Sequence, residues 1–192
     1  MTEIPTSHDE EFLLLEQAKS GDATAFGELY RLYFAPIYRY VYFRVKHAEE
    51  AEDLTQSVFT KVYASIDAYE HRGRPLLAFL YTVARNTIID YWRKKKPVTL
   101  DDPEHLQTAI DAAHKIVPEL QDPFDTATLR GAIQRLTDDQ QEVVVLRFIN
   151  DLPNRDIAEQ LGKSEEAIRQ LQSRALKALR QILQEIRPHG TY

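Results

Sequence analysis

The stretch Asn154-Arg-Asp-Ile-Ala-Glu-Gln-Leu-Gly162-Lys-Ser164-Glu-Glu-Ala-Ile-Arg169 decides the reading of this chain. Ile157, Ala158 and Leu161 recur at helical steps, so a short helix opens at Asn154, a good N-terminal cap, and turns its apolar side inward. Gly162 supplies the left-handed backbone that stops a helix sharply. Ser164 then caps a second helix at once, with Glu165 and Glu166 well placed against its N-terminal dipole. A short helix, a glycine turn and a longer second helix form the layout that lays a recognition helix in the DNA major groove.

The second helix divides by face. Ile168, Leu171, Ala175 and Leu179 repeat at three- and four-residue steps and must pack inward. Glu166, Arg169, Gln170, Ser173, Lys177 and Arg180 occupy the opposite face, with Arg174 at its edge. Arginine and glutamine make paired hydrogen bonds to guanine and adenine edges, and Lys177 and Arg180 fall farther along, where phosphates would run. The plainer alternative is a helical hairpin that binds another protein. A face that is basic as well as polar favours nucleic acid.

Working outward, Thr137 and Gln140 form a capping-box pair for a helix ending near Ile149, and Asp122-Pro123 open another to about Leu136. The stretch from Pro97 to Pro123 has little periodicity and many aspartates, so it reads as a flexible acidic linker too long for a tight connection. A short helix around Ala109 to Val117 is the structure it suggests. The N-terminal side reads as helix over about Glu10 to Lys19, then from a cap at Asp22 to about Arg44, with Phe26, Leu29, Tyr30, Tyr33 and Ile37 at helical spacing. Pro36 inside that helix should kink or split it. Further helices follow over about Ala48 to Ala64, striped by Leu54, Val58 and Val62, and from Pro75 to about Lys95. No convincing alternating strand is present. The expected fold is all-α, with a helical bundle over residues 1–96, a linker over 97–123, a helix-turn-helix domain over 124–187 and a tail over 188–192.

Composition narrows the function. No window approaches the roughly 18 apolar residues of a membrane span. The N-terminal stretch is acidic where a secretory signal is basic, which points to a cytoplasmic chain. Without cysteine there is no disulfide framework, thiol nucleophile or cysteine zinc site. Net charge is −6, which by itself argues against nucleic acid. The distribution reverses that. Between Arg72 and Lys96 seven bases face Asp90 alone, and from Arg169 to Arg187 five bases face Glu185 alone. Two basic patches separated by acidic stretches suit two anionic contact sites, the alternative being solvated helix faces.

The segment from Leu76 to Lys96 is apolar round much of its circumference. Asn86, Asp90 and Arg93 form a polar stripe, and Lys94, Lys95 and Lys96 close the helix. Tyr81, Arg85 and Trp92 lie on another face. Aromatic groups beside bases suit unstacked single-stranded nucleic acid, where rings stack on bases and cations follow phosphates. The alternative is ordinary core rings with a charged helix end favoured by the dipole.

Taken in order, Asp53-Leu-Thr-Gln-Ser-Val-Phe59-Thr-Lys-Val-Tyr63, Leu80-Tyr-Thr-Val-Ala-Arg-Asn-Thr-Ile-Ile-Asp-Tyr-Trp-Arg93 and the helix-turn-helix resemble a bacterial RNA polymerase sigma factor of the sigma-70 type. The two-domain brevity resembles the extracytoplasmic-function (ECF) group, which keeps only regions two and four. The match covers about residues 20–96 and 124–187. The resemblance implies that Asp53, Gln56 and Phe59, assisted by Glu52, dock on the β′ coiled coil of core polymerase. It implies that Arg85, Asn86, Asp90 and Arg93 meet the −10 element, joined by Tyr81, Trp92, Lys94 and Lys95. The loop from Asp67 to Arg74 matches the one that holds a base flipped from the non-template strand, with Tyr69 and Arg74 as its candidates. Arg169, Gln170, Ser173 and Arg174 match the helix that reads the −35 element, beside Glu166 and Lys177.

Two positions depart from the family. Glu166 stands where many relatives have a small residue, and can accept a hydrogen bond from cytosine or simply complement the dipole. Leu171-Gln172 replaces a basic-then-apolar pair. Both bear on the promoter sequence rather than on the activity. The implied partners are core polymerase (β′ coiled coil and β flap), promoter DNA and an anti-sigma factor, with no membrane, cofactor or metal, and no catalysis by the chain itself. The rival reading is a helix-turn-helix regulator with a helical sensor domain, which leaves the 53–63 and 81–93 surfaces without a role. An enzyme is disfavoured. The acids near His47 and His105 lack HExxH spacing or paired Glu-x-x-His helices, and no glycine-rich phosphate loop occurs.

Overall fold

Gly21 and Asp22 make the first joint of the chain. Helix α1 (His8–Lys19) ends where Gly21 takes a φ of +92°, a conformation that glycine adopts without strain. The Asp22 carboxylate then accepts from the amides of Thr24 and Ala25 at 2.8 and 3.3 Å and opens α2 (Ala23–Tyr42), as the sequence predicts. The computed structural model describes residues 8–70, 75–94 and 123–186, with side chains from residue 10 and, in the last segment, from residue 126. The helix expected around Ala109 to Val117 lies outside the described residues.

Pro36 does not split α2, which is one helix from end to end and stops at Tyr42 rather than Arg44. A proline there removes one backbone hydrogen bond, but Tyr33, Ile37, Tyr38 and Tyr40 around it are fully buried. Burial of each such side chain contributes about 1.5–3 kcal/mol, enough to carry the helix through the break. Helix α3 (Ala48–Ser65) leads into a 3₁₀ turn over Ile66–Ala68, and α4 (Leu76–Lys94) follows.

The chain divides into two compact units, Met1–Val41 with Ala51–Val98, and Tyr42–Glu50 with Thr99–Tyr192. In the first, rings from α2 and α3 interleave. Tyr30 and Phe59 lie 4.7 Å apart, Phe26 and Tyr63 4.8 Å, and Phe34 stacks on Tyr38 at 5.8 Å. Two polar contacts tie α4 to this core. The Leu76 amide donates to Glu11 at 2.7 Å, and the Lys61 amine donates to Thr87 at 2.9 Å. The start of α4 is thus capped from α1, 65 residues earlier in the chain.

The second unit contains α5 (Pro123–Gln134), α6 (Asp138–Val144), α7 (Asn154–Leu161) and α8 (Glu165–Ile186). Gln140 accepts from the Thr137 amide at 3.2 Å, the capping-box contact expected at the start of α6. Past Val144 the helix widens into a π turn over Val145–Ile149, and the Asn150 amide reaches back to the Val145 carbonyl at 3.0 Å. Val143, Leu146, Ile157 and Ile168 form the core. A buried ion pair joins Arg44 to Glu142, and Arg130 donates twice to the Val45 carbonyl, at 3.1 and 2.7 Å, with its guanidinium 3.9 Å from the Tyr42 ring.

Among the described residues all regular structure is helical, in agreement with the all-α expectation. None of the described helices is long and apolar enough to cross a membrane.

Candidate nucleic-acid interface

The helix-turn-helix forms from local signals. Gly162 takes φ +62° and ends α7, while the Lys163 amide closes back on the Ala158 carbonyl at 2.9 Å. Two residues on, the Ser164 hydroxyl accepts from the Ala167 amide at 3.1 Å and caps α8. One expectation fails here. Asn154 is not the cap of α7, because Pro153 holds that position and Asn154 already lies in the helix. Its side-chain oxygen instead accepts from the Gln172 amide group at 2.7 Å, which ties α7 to α8. The departure noted at Leu171-Gln172 therefore supplies a structural lock between the two helices.

Ile168, Ala175 and Leu179 are buried and Leu171 is half-buried, so α8 packs by the predicted face. Glu166, Arg169, Gln170, Ser173, Arg174, Lys177 and Arg180 are all exposed on the other. They are not independent. Glu166 accepts from Arg169 Nε and Nη2 at 3.1 and 3.0 Å through one oxygen, and from Gln170 Nε2 at 3.2 Å through the other. Glu165 stands 3.7 Å from Arg169 Nη1, and Arg174 Nε donates to the Gln170 carbonyl at 3.4 Å. The Arg169 and Gln170 hydrogen bonds hold the Glu166 carboxyl below its usual range, so it is an anion at neutral pH.

On α4 the expected residues divide. Asn86, Trp92, Arg93 and Lys94 are exposed, and Arg85 and Asp90 are half-buried. Asp90 pairs with Arg93 at 2.9 Å. Tyr81 must be corrected. It is fully buried, with its ring 5.3 Å from Tyr40, and burial pushes its phenol well above the usual range. It shares the inner stripe with Leu80, Ala84 and Ile88, so it is core and offers no face to a base. Trp92 lies one turn beyond Ile88, where the core ends, and its ring meets Tyr91 edge-on at 5.0 Å. Tyr69 is half-buried against Phe79 at 4.8 Å. Arg74 and Lys95 lie outside the described residues.

On α3, Asp53 and Gln56 are exposed and Glu52 is half-buried. Phe59 is corrected as well. It is buried between Tyr30 and Phe34, so it supports the acidic face from beneath and is closed to a partner. Sequence reasoning passed over Tyr63, which is half-exposed one turn farther along, and over the exposed Phe148 and Leu176 of the second unit. Leu176 was legible as an apolar residue outside the Ile168, Ala175 and Leu179 stripe. Among the described residues no group of three or more acids or histidines is placed to hold a metal ion.

The family model for Sigma-70 region 2 matches residues 29–98, and that for Sigma-70, region 4 matches residues 132–181. Over 180 residues the chain is 31% identical to the ECF RNA polymerase sigma factor SigW of Bacillus subtilis, covering 90% of this chain and 96% of that one. The chain belongs to the ECF sigma factors. This ECF sigma factor is also 35% identical over 170 residues to the ECF RNA polymerase sigma factor BldN of Streptomyces coelicolor, covering 88% of its own length and spanning 64% of that protein. In fold it is similar to CnrH in complex with the cytosolic domain of CnrY, with a TM-score of 0.70 at 21% identity over 92% of this chain and 99% of that one. Helices α3 and α4 fall inside the region 2 match of the sigma factor, and α7 and all but the last five residues of α8 inside its region 4 match.

Proposed function

We propose that this ECF sigma factor is the promoter-specificity subunit of a bacterial RNA polymerase. Asp53 and Gln56, with Glu52 beside them, present an acidic, amide-bearing surface to the basic β′ coiled coil. Asn86, Trp92, Arg93 and Lys94 on α4 meet the −10 element as it opens, where an exposed indole beside cations suits an unstacked base. Residues 67–74 receive the flipped base, with Tyr69 at the rim of that site. Residues 166–177 of α8 enter the major groove of the −35 element. Linking two modest DNA contacts in one chain raises affinity without new contacts, which gives the long tether its purpose. The chain works in the cytoplasm and catalyses nothing itself; RNA synthesis and its magnesium belong to the polymerase. The β flap and an anti-sigma factor complete the partners that family membership implies.

The observation that carries this reading is the exposed polar face of α8, which holds Arg169, Gln170, Ser173 and Lys177 on the second helix of a correctly turned helix-turn-helix. Run-off transcription with purified core polymerase on a promoter library tests it. Holoenzyme should initiate from a discrete set of templates that core polymerase ignores. Initiation no better than core alone on every template would overturn the reading.

A further inference from the structure

We propose that Glu166 is a positioning residue which sets the −35 preference by holding Arg169 and Gln170 in a single base-reading arrangement. This rests on the function proposed above.

An arginine reads guanine through two parallel N–H groups, from either its Nε–Nη2 edge or its Nη1–Nη2 end. In this chain the Nε–Nη2 edge is already spent on one oxygen of Glu166, at 3.1 and 3.0 Å. The Nη1–Nη2 end, which has Glu165 at 3.7 Å from Nη1 as an ion pair too long for a hydrogen bond, is the one left for guanine O6 and N7. The second oxygen of Glu166 takes a hydrogen of Gln170 Nε2 at 3.2 Å. The Gln170 amide cannot flip without losing that bond, so its carbonyl oxygen and one remaining N–H are presented in a fixed order, the pairing that adenine N6 and N7 require. One carboxylate therefore orients two readers on successive positions of the helix.

In free solution these contacts are exposed and weak. In the groove they strengthen, because the bases and backbone displace water and lower the local dielectric. The charge also acts against alternatives. A bare carboxylate facing the guanine acceptors is repelled, so any approach in which Arg169 lets go of Glu166 is penalised.

The test uses holoenzyme reconstituted from core polymerase and full-length chain, with a template library randomised over the −35 element and a constant −10 element. Transcripts are sequenced for the wild type, Glu166→Ala, Glu166→Gln, Arg169→Ala, Gln170→Ala and the double variants. The expected result is that Glu166→Ala relaxes preference by at least about fivefold at the same base pairs that Arg169→Ala and Gln170→Ala relax. Combining it with Arg169→Ala should add little, as coupled neighbours do. Glu166→Gln keeps an acceptor for one partner and should fall between. Preference over a library randomised at −10 should not move, and the unfolding midpoint should fall only slightly, as for the loss of an exposed charge at a helix N-terminus. If Glu166→Ala changes a base pair that neither Arg169 nor Gln170 controls, the carboxylate contacts cytosine directly and the proposal fails. An unchanged −35 profile overturns it too. If wild-type holoenzyme itself initiates from nothing, the functional reading fails along with it, an outcome distinct from both.

Discussion

Helix α4 buries Leu76, Leu80, Tyr81, Ala84, Thr87 and Ile88, leaving Asn86, Trp92 and Arg93 outside, whereas α8 buries Ile168, Ala175 and Leu179 and leaves most of its circumference in water. Both carry an acid one turn before an arginine, Asp90 before Arg93 and Glu166 before Arg169, with the pair closed at 2.9 and 3.0 Å. The two helices differ in how much of themselves the fold consumes. A narrow apolar stripe such as that of α8 reports its own orientation, because only one face can be inside. A helix apolar round most of its surface, such as α4, does not, and an aromatic residue there is assigned to core or surface only by the neighbours that meet it.

Changes at three positions would break or sharpen that contrast. The largest effect is expected from Tyr81→Ala, which should lower the stability of the first unit by about 3–5 kcal/mol, the usual range for emptying a buried aromatic site. Tyr81→Phe should be close to neutral, since among the described residues the buried hydroxyl finds no hydrogen-bond partner. Urea unfolding followed by the fluorescence of Trp92, the single tryptophan, reports on this unit. A folded Tyr81→Ala protein that loses only promoter opening would return Tyr81 to the DNA surface. Next in size is Trp92→Ala. It should weaken opening of the −10 region by about 1–3 kcal/mol, the worth of one stacked base, with hydrogen exchange in the first unit almost unchanged. Equal losses in Tyr81→Ala and Trp92→Ala on both measurements would erase the distinction between them. The smallest is Ser164→Ala, which removes the cap of α8 and should cost about 1 kcal/mol in the second unit, read by circular dichroism on heating. No change there would mean that tertiary packing alone holds the start of the recognition helix.

The candidate site was legible to different depths. Glu166, Arg169, Gln170, Ser173 and Lys177 all lie on the exposed side foreseen for them, because their placement follows from a clean helical period, and Arg174, expected at its edge, is exposed too. Asp53 and Gln56 are likewise outside. Phe59 and Tyr81 went to the core, and each shows the same limit: the motif places a residue on a helix but says nothing of the ring packed against it. Asn154 shows a smaller version, since a good capping residue turned instead to Gln172, eighteen residues away.

Local signals therefore came from the chain alone. The joint at Asp22, the left-handed stop at Gly162 and the cap at Ser164 act within five residues, so composition and spacing determine them before any packing exists. The helices themselves, and the amphipathic face of α8, belong to the same class. Tertiary structure decided what depends on distant partners: the Glu11 cap on α4, the burial of Arg44 with Glu142, 98 residues apart, the helix carried through Pro36, and which rings face water. The physical reason is that burial is a property of neighbours, and a residue meets those neighbours only when segments far apart in the chain close on one another.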